Sequence, residues 1–261
     1  MDLASFWFAE HNYPGNQMDC WVSARPAMLG PRSGVLCEHV PESSNNEYRG
    51  YFVCGLMDSE DMLCSLACER NKQSIAEVLT ILLPRGAGVL EIGSGTGQHA
   101  VYFAAQLPCL SWKCSDRADN LPSIQARIDL EGHGQLPEAL ELDVTSNAWP
   151  SGPYDAVFTA NTLHIMPWDH TPVLLQRSQQ VIKPGGCLII YGPFHDGGVH
   201  TAPSNKAFDR SLKARDPAMG VRDAVEIKRL AAANGISAEA DLALPANNRI
   251  LVFRKPVDAP T

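Results

Sequence analysis

Between residues 75 and 194 the chain alternates short apolar runs with segments of helical period, and this alternation constrains the fold most. Ile75, Val78, Leu79 and Leu82 form one helical stripe, closed by Pro84 and Gly86. "GVLEIG" then reads as a buried strand and "GQHAVYFAAQLP" as a helix. "LSWKCSD" and "LPSIQARIDLEG" repeat the pair, "EALELDVTS" and "YDAVFTANTLH" give two more strands, and "TPVLLQRSQQVIKPGG" a helix stopped by Pro184 and two glycines. "CLIIYGPF" is a fifth strand. Such spacing leaves room only for parallel crossovers, which predicts an α/β doubly wound, Rossmann-like sheet with both faces covered. Two further helices, in "KAFDRSLKARD" and "AVEIKRLAAANG", precede two strands joined by the tight turn "PANN", close enough to be antiparallel.

The first 62 residues break this pattern. "NYPGNQMDCW", "MLGPRSG" and "VPESSNNEYRG" are rich in turn formers and carry no clean helical or strand period. They read as an irregular extension or cap, residues 1–62, ahead of a domain spanning residues 63–261. A net charge of -8 and a pI near 5.4 argue against a protein built to grip phosphate backbones. No apolar run is long enough to span a bilayer, and the opening residues lack the basic start and apolar centre of a signal peptide. The expectation is a cytoplasmic protein with neither nucleic acid nor membrane as partner. Its eight cysteines are scattered, and Cys64 and Cys68 without a second pair of ligands make no zinc site, so free thiols and no metal are expected.

The chemistry is expected in the first strand-to-helix turn, "VLEIGSGTGQHA". In an open parallel sheet, ligands bind beyond the carboxyl ends of the strands where strand order reverses. Gly93, Gly95 and Gly97 remove the side chains that would collide with a ligand laid across that turn. A P-loop requires Gly-Lys-Ser/Thr at its end, and here Gln98 and His99 follow Gly97. A dinucleotide fingerprint requires glycine at position 98, which is Gln98, so a nicotinamide oxidoreductase is disfavoured.

"LEIGSGTG" resembles the first motif of class I S-adenosylmethionine-dependent methyltransferases. Asp116, ending "SWKCSD", matches the acid that binds the ribose hydroxyls in such enzymes. Asp143, in "LELDV", matches the residue beside the adenine amino group, with Val144 next to it. "YDAVFTANTLHIM" and "VIKPGGCLIIYGPF" match the motifs of the fourth and fifth strands. A closer similarity, carried by "ACERNKQSI", "SGTGQHAVYFA", "NTLHIMPW", "YGPFHDGGVHTAPSNKAFDRSLKARDP" and "LPANN", is to the DUF938 (UPF0585) group, which includes methyltransferase-like protein 26. The resemblance implies a seven-stranded sheet with the last strand antiparallel, bound S-adenosylmethionine, and S-adenosylhomocysteine as product. It implies cofactor contacts at Arg70, Glu91, Gly93, Ser94, Gly95, Gly97, Gln98, Asp116, Asp143, Val144, Asn161 and Leu163. Carboxylates at strand ends suit ribose hydroxyls. Carbonyls near Gly93 and Asn161 suit the methionine ammonium, and Arg70 or helix-start N–H groups its carboxylate.

In-line methyl transfer demands alignment and exclusion of water, so the acceptor is expected over the ends of the fourth and fifth strands. A small-molecule acceptor is the favoured partner. The alternatives are a protein acceptor, or a cofactor-binding protein without catalysis. His164 is the candidate general base and Tyr191 a second catalytic candidate. Asn71, Trp168, Phe194, His200, Asn205, Asn247 and Asn248 are candidate acceptor contacts. The segment from His195 to Asn205, with Gly197 and Gly198 as hinges, is expected to be a lid.

Overall fold

The computed structural model describes residues 51–53 and 63–257. Most of the expected extension therefore lies outside the described residues. Where it is described, a strand is present: β1 (Tyr51–Val53) pairs antiparallel with β2 (Leu63–Ser65). Helix α1 (Leu66–Leu82) begins at the Ser65 cap, whose hydroxyl accepts from the Cys68 amide. Then follow β3 (Gly88–Ile92), α2 (Gln98–Gln106), β4 (Ser111–Asp116), α3 (Leu121–Glu131), β5 (Leu140–Glu141), β6 (Tyr154–Ala160), α4 (His170–Val181) and β7 (Ile182–Gly192). The chain continues through β8 (Phe194–Asp196), β9 (Val199–His200), α5 (Pro203–Arg215), β10 (Arg222–Asp223), α6 (Ala224–Ala233), β11 (Ser237–Leu244) and β12 (Asn248–Arg254).

Seven strands form the main sheet in the order β11-β12-β7-β6-β3-β4-β5. β3 pairs parallel with both β4 and β6, and β6 parallel with β7. β12 runs antiparallel to β7 and to β11, so the last strand is the reversed one. After β5 the chain returns to the other side of β3, which puts the switch in strand order between β3 and β6, beside the glycine turn. The sheet is doubly wound, as the alternation predicts.

Two apolar layers cover it. Strand alternation sends Val89 towards Ile75, Leu79, Phe103 and Trp112 on the α1–α2–α3 side. It sends Leu90 and Ile92 towards Leu174, Leu175 and Ile227 on the α4–α6 side. Leu188, Ile189 and Ile190 of β7 are all fully buried, as a central strand covered on both faces requires.

The structure corrects three sequence expectations. The helix expected to stop at Pro184 already ends at Val181, and residues 182–186 belong to β7. There the Gly185 amide donates to the Lys255 carbonyl and the Lys255 amide to the Gly186 carbonyl. The strand read in "EALELDVTS" shrinks to the two residues of β5. The expected lid is a hairpin: β8 pairs with β9, and β10 adds in parallel on the other side of β8. Gly197 and Gly198, at φ 56° and 84°, form its tight turn instead of hinges.

Candidate functional site

The glycine turn is held from three sides. Glu91, placed by strand alternation on the Trp112 side, is 1% exposed and accepts from Ser94 Oγ at 2.9 Å and Trp112 Nε1 at 3.0 Å. Burial pushes its carboxyl up to about 7, against those two donors. Ser94 thus serves the turn through Glu91. Arg127, buried on α3, donates from Nε to the Thr96 carbonyl at 2.7 Å. The Asp116 carboxylate, at the tip of β4, accepts from the Gly95 amide at 2.7 Å, the Arg117 amide at 2.8 Å and Asn120 Nδ2 at 2.9 Å. Gly93, Gly95 and Gly97 all have positive φ. A Cβ at Gly93 would sit 2.5 Å from Thr162 Oγ1, so glycine is required there for space as well as for conformation.

At the neighbouring strand ends, Asp143 lies on the surface after β5, and two donors from Thr145 hold its carboxyl below the ordinary range. Val144 and Leu163 pack into the α4–α6 layer. Asn161, after β6, has a left-handed backbone with φ 62°, and its amide donates to the Tyr191 carbonyl at 2.9 Å. A non-glycine residue held in this region marks a position over-determined by its surroundings.

Beside the turn opens a cleft of about 290 Å³. Arg70, Asn71 and Ser74 of α1 line one wall, Ser204, Asn205 and Phe208 of α5 another, and Ala246 and Asn248 the rim, with Asn161 and Tyr191 at its base. Of the residues expected from sequence, the cleft unites Arg70, Asn71, Asn161, Tyr191, Asn205 and Asn248. Ala67, Ser74, Ser204 and Phe208 were missed. The signal was there: Ala67, Arg70, Asn71 and Ser74 fall at i, i+3, i+4 and i+7 of one helix.

Beneath the cleft runs a buried polar chain. The His99 ring lies 2.7 Å from Asn71 Oδ1 through Nε2 and stacks on Phe103. An amide oxygen only accepts, so His99 Nε2 carries the hydrogen. Asn71 in turn bonds the Tyr191 hydroxyl, whose ionisation burial opposes. Burial also depresses His99 to about 4, helped by Lys72. Gln98 turns away from the glycine turn's outer face: its Oε1 accepts from the Ser65 amide and Thr96 Oγ1, and its Nε2 donates to Glu69.

Several expected acceptor contacts do not line this cleft. His164 is buried against Phe208, and burial, with Arg222 and Arg215 nearby, depresses it to about 3. A group so hard to protonate is a weak base at neutral pH. Trp168 carries the Arg222 guanidinium on its face, and Phe194 is buried beneath Arg249. His200 faces Asp209 and His195. Asn247 donates to Ser204 Oγ while its carbonyl accepts from Asn205, so it shapes the rim from behind. Among the described residues, Cys68, Cys114 and Cys187 have thiols that burial keeps protonated. No group of three or more His, Cys, Asp or Glu among them is placed to hold a metal ion. No helix among them is long and apolar enough to cross a membrane.

The family model for DUF938, a protein family of unknown function, matches residues 62–255. The chain belongs to the DUF938 family. Its fold is that of the class I methyltransferases. An O-methyltransferase family protein from Burkholderia thailandensis superposes with a TM-score of 0.64 at 16% identity, over 74% of this chain and 58% of that one. The mitomycin 7-O-methyltransferase MmcR gives 0.62 at 20% identity, over 71% and 54%. CalO1, a methyltransferase of calicheamicin biosynthesis solved with S-adenosylhomocysteine bound, gives 0.61 at 18% identity, over 73% and 54%. This DUF938 chain thus spans a little over half the length of these structures.

Proposed function

We propose that this DUF938 protein transfers the methyl group of S-adenosylmethionine to a small molecule held in the cleft between α1 and α5. The observation that carries the reading is the glycine turn, fixed by Asp116 and Glu91 at the switch point of the sheet and opening beside a small polar cleft. The residues fit such a cofactor. The turn carries three glycines with positive φ, Asp116 and Asp143 stand at successive strand ends, and Asn161 holds a left-handed backbone after β6. The adenosine half falls to Gly95, Gly97, Asp116, Asp143 and Val144, and the methionine half to Gly93 and Asn161. The cofactor supplies a methyl group already activated on a positively charged sulfur. What remains for the protein is to hold the acceptor in line and keep water away.

Tyr191 and Asn71, both in the cleft lining, are the groups placed to orient an acceptor. The shared fold of small-molecule O-methyltransferases supports this reading over a protein acceptor, as does the modest size of the cleft. The test is turnover. The full chain, incubated with S-adenosylmethionine and the low-mass filtrate of a cell extract, is expected to accumulate S-adenosylhomocysteine only when the filtrate is present. Accumulation that ignores the filtrate, or none at all, contradicts the reading.

A further inference from the structure

The cleft is unusual in what it lacks. Among the described residues its lining holds no Asp, Glu, His, Lys or Cys, so none of these side chains is built to take a proton from an acceptor. The Tyr191 phenol, which burial keeps protonated, does not fill that role. The one charged group in the lining is Arg70, whose guanidinium forms no ion pair among the described residues. The hydrogen-bond chain below reaches the cleft through Tyr191. His99 donates to Asn71, Asn71 bonds the Tyr191 hydroxyl, and Tyr191 stands in the cleft lining beside Arg70 and Asn71. A site with a cation, an O–H donor and no base selects an oxygen that arrives already ionised.

We infer that the methyl acceptor is a small carboxylic acid, bound as its anion by Arg70 and Tyr191 and converted to its methyl ester. The inference rests on the methyltransferase reading above. The balance needs no base: a carboxylate oxygen forms the new O–CH₃ bond, the carbon–sulfur bond breaks, and its electron pair stays on sulfur. An anion and a sulfonium become a neutral ester and a neutral thioether, and no proton moves. Arg70 and Tyr191 touch the acceptor, whereas Asn71 and His99 are positioning residues that act through Tyr191.

Alkali distinguishes this product from all methyl ethers and methyl amines. The full chain is incubated with S-adenosylmethionine tritiated in the methyl group and a low-mass cell filtrate, and the labelled product is treated with mild base. Most of the transferred tritium is expected to leave as volatile methanol. Label that is transferred but survives base overturns the carboxylate assignment and leaves the methyltransferase reading standing. No transferred label from a protein that binds the cofactor overturns both. A binding measurement separates the two carboxylates that Arg70 could meet, the acceptor's and the cofactor's own. Arg70→Met is expected to keep S-adenosylhomocysteine affinity within about threefold of the parent while base-labile label falls about tenfold or more, the scale of one lost charge-assisted pair. Affinity for S-adenosylhomocysteine that drops tenfold or more gives Arg70 to the cofactor and overturns the assignment.

Discussion

Three buried titratable side chains give the protein a pH signature that belongs to single residues. His99 and His164 are depressed by burial to about 4 and about 3, so each stays neutral in the fold well below the pH at which it protonates in the unfolded chain. Stability contributed by a depressed histidine is complete above its unfolded value near 6.5 and falls as pH drops towards its folded value. Glu91, raised by burial to about 7, works the other way: its contribution is greatest when protonated and is lost as pH rises from its unfolded range through about 7. Near pH 5.5 the unfolded chain therefore binds almost two extra protons at His99 and His164 and about one fewer at Glu91, and His195, also depressed by burial, adds to the histidine side. The net is a loss of about 1.4 kcal/mol per pH unit on acidification. The expected outcome is a Tm that falls across this window, and that falls less steeply in His164→Gln. A variant that keeps the parent slope would remove His164 from the explanation. The same burial that makes His164 a pH sensor makes it a weak base. Sequence marks it as a histidine after a strand and cannot show the Arg222 and Phe208 packed against it.

Elements were legible where period carried the information. β3, β6 and β7 are buried on both faces and read as continuous apolar runs, and α1 shows its stripe plainly. The misread places are those where long-range pairing overrides a local signal. "KPGG" is a helix stop by composition, yet its backbone is taken up as strand and tied to Lys255. The polar segment after Phe194 looks like a lid, but Arg249 of β12 clamps it with a two-pronged pair to Asp196 at 2.7 and 3.0 Å. The expectation is slow amide hydrogen exchange across β8 and β9, with Arg249→Met accelerating exchange there and leaving β3 and β6 protected. Exchange at free-peptide rates in the parent protein would contradict the clamp and restore the lid.

At the scale of the whole molecule, the fold puts the glycine turn, the acids Asp116 and Asp143 and one small cleft along the carboxyl ends of β3, β4, β5, β6 and β7. The glycine turn and the acids at the strand ends were readable because glycines and acids recurring in that order after apolar runs mark strand-to-helix turns of such a sheet. The acceptor half was only partly readable. Its walls come from α1 and α5, separated by 120 residues of chain, and only the tertiary fold brings Arg70 and Asn205 to one cleft. Everything proposed for the cleft depends on what the glycine turn holds. The most direct measurement is isothermal titration of the full chain with S-adenosylhomocysteine, beside the Asp116→Ala variant. The predicted result is micromolar binding by the parent, weakened by about 1–3 kcal/mol, roughly fivefold to 150-fold, when the carboxylate at the tip of β4 is removed. No heat from the parent, or equal affinity in the variant, would contradict the assignment of this turn to S-adenosylmethionine.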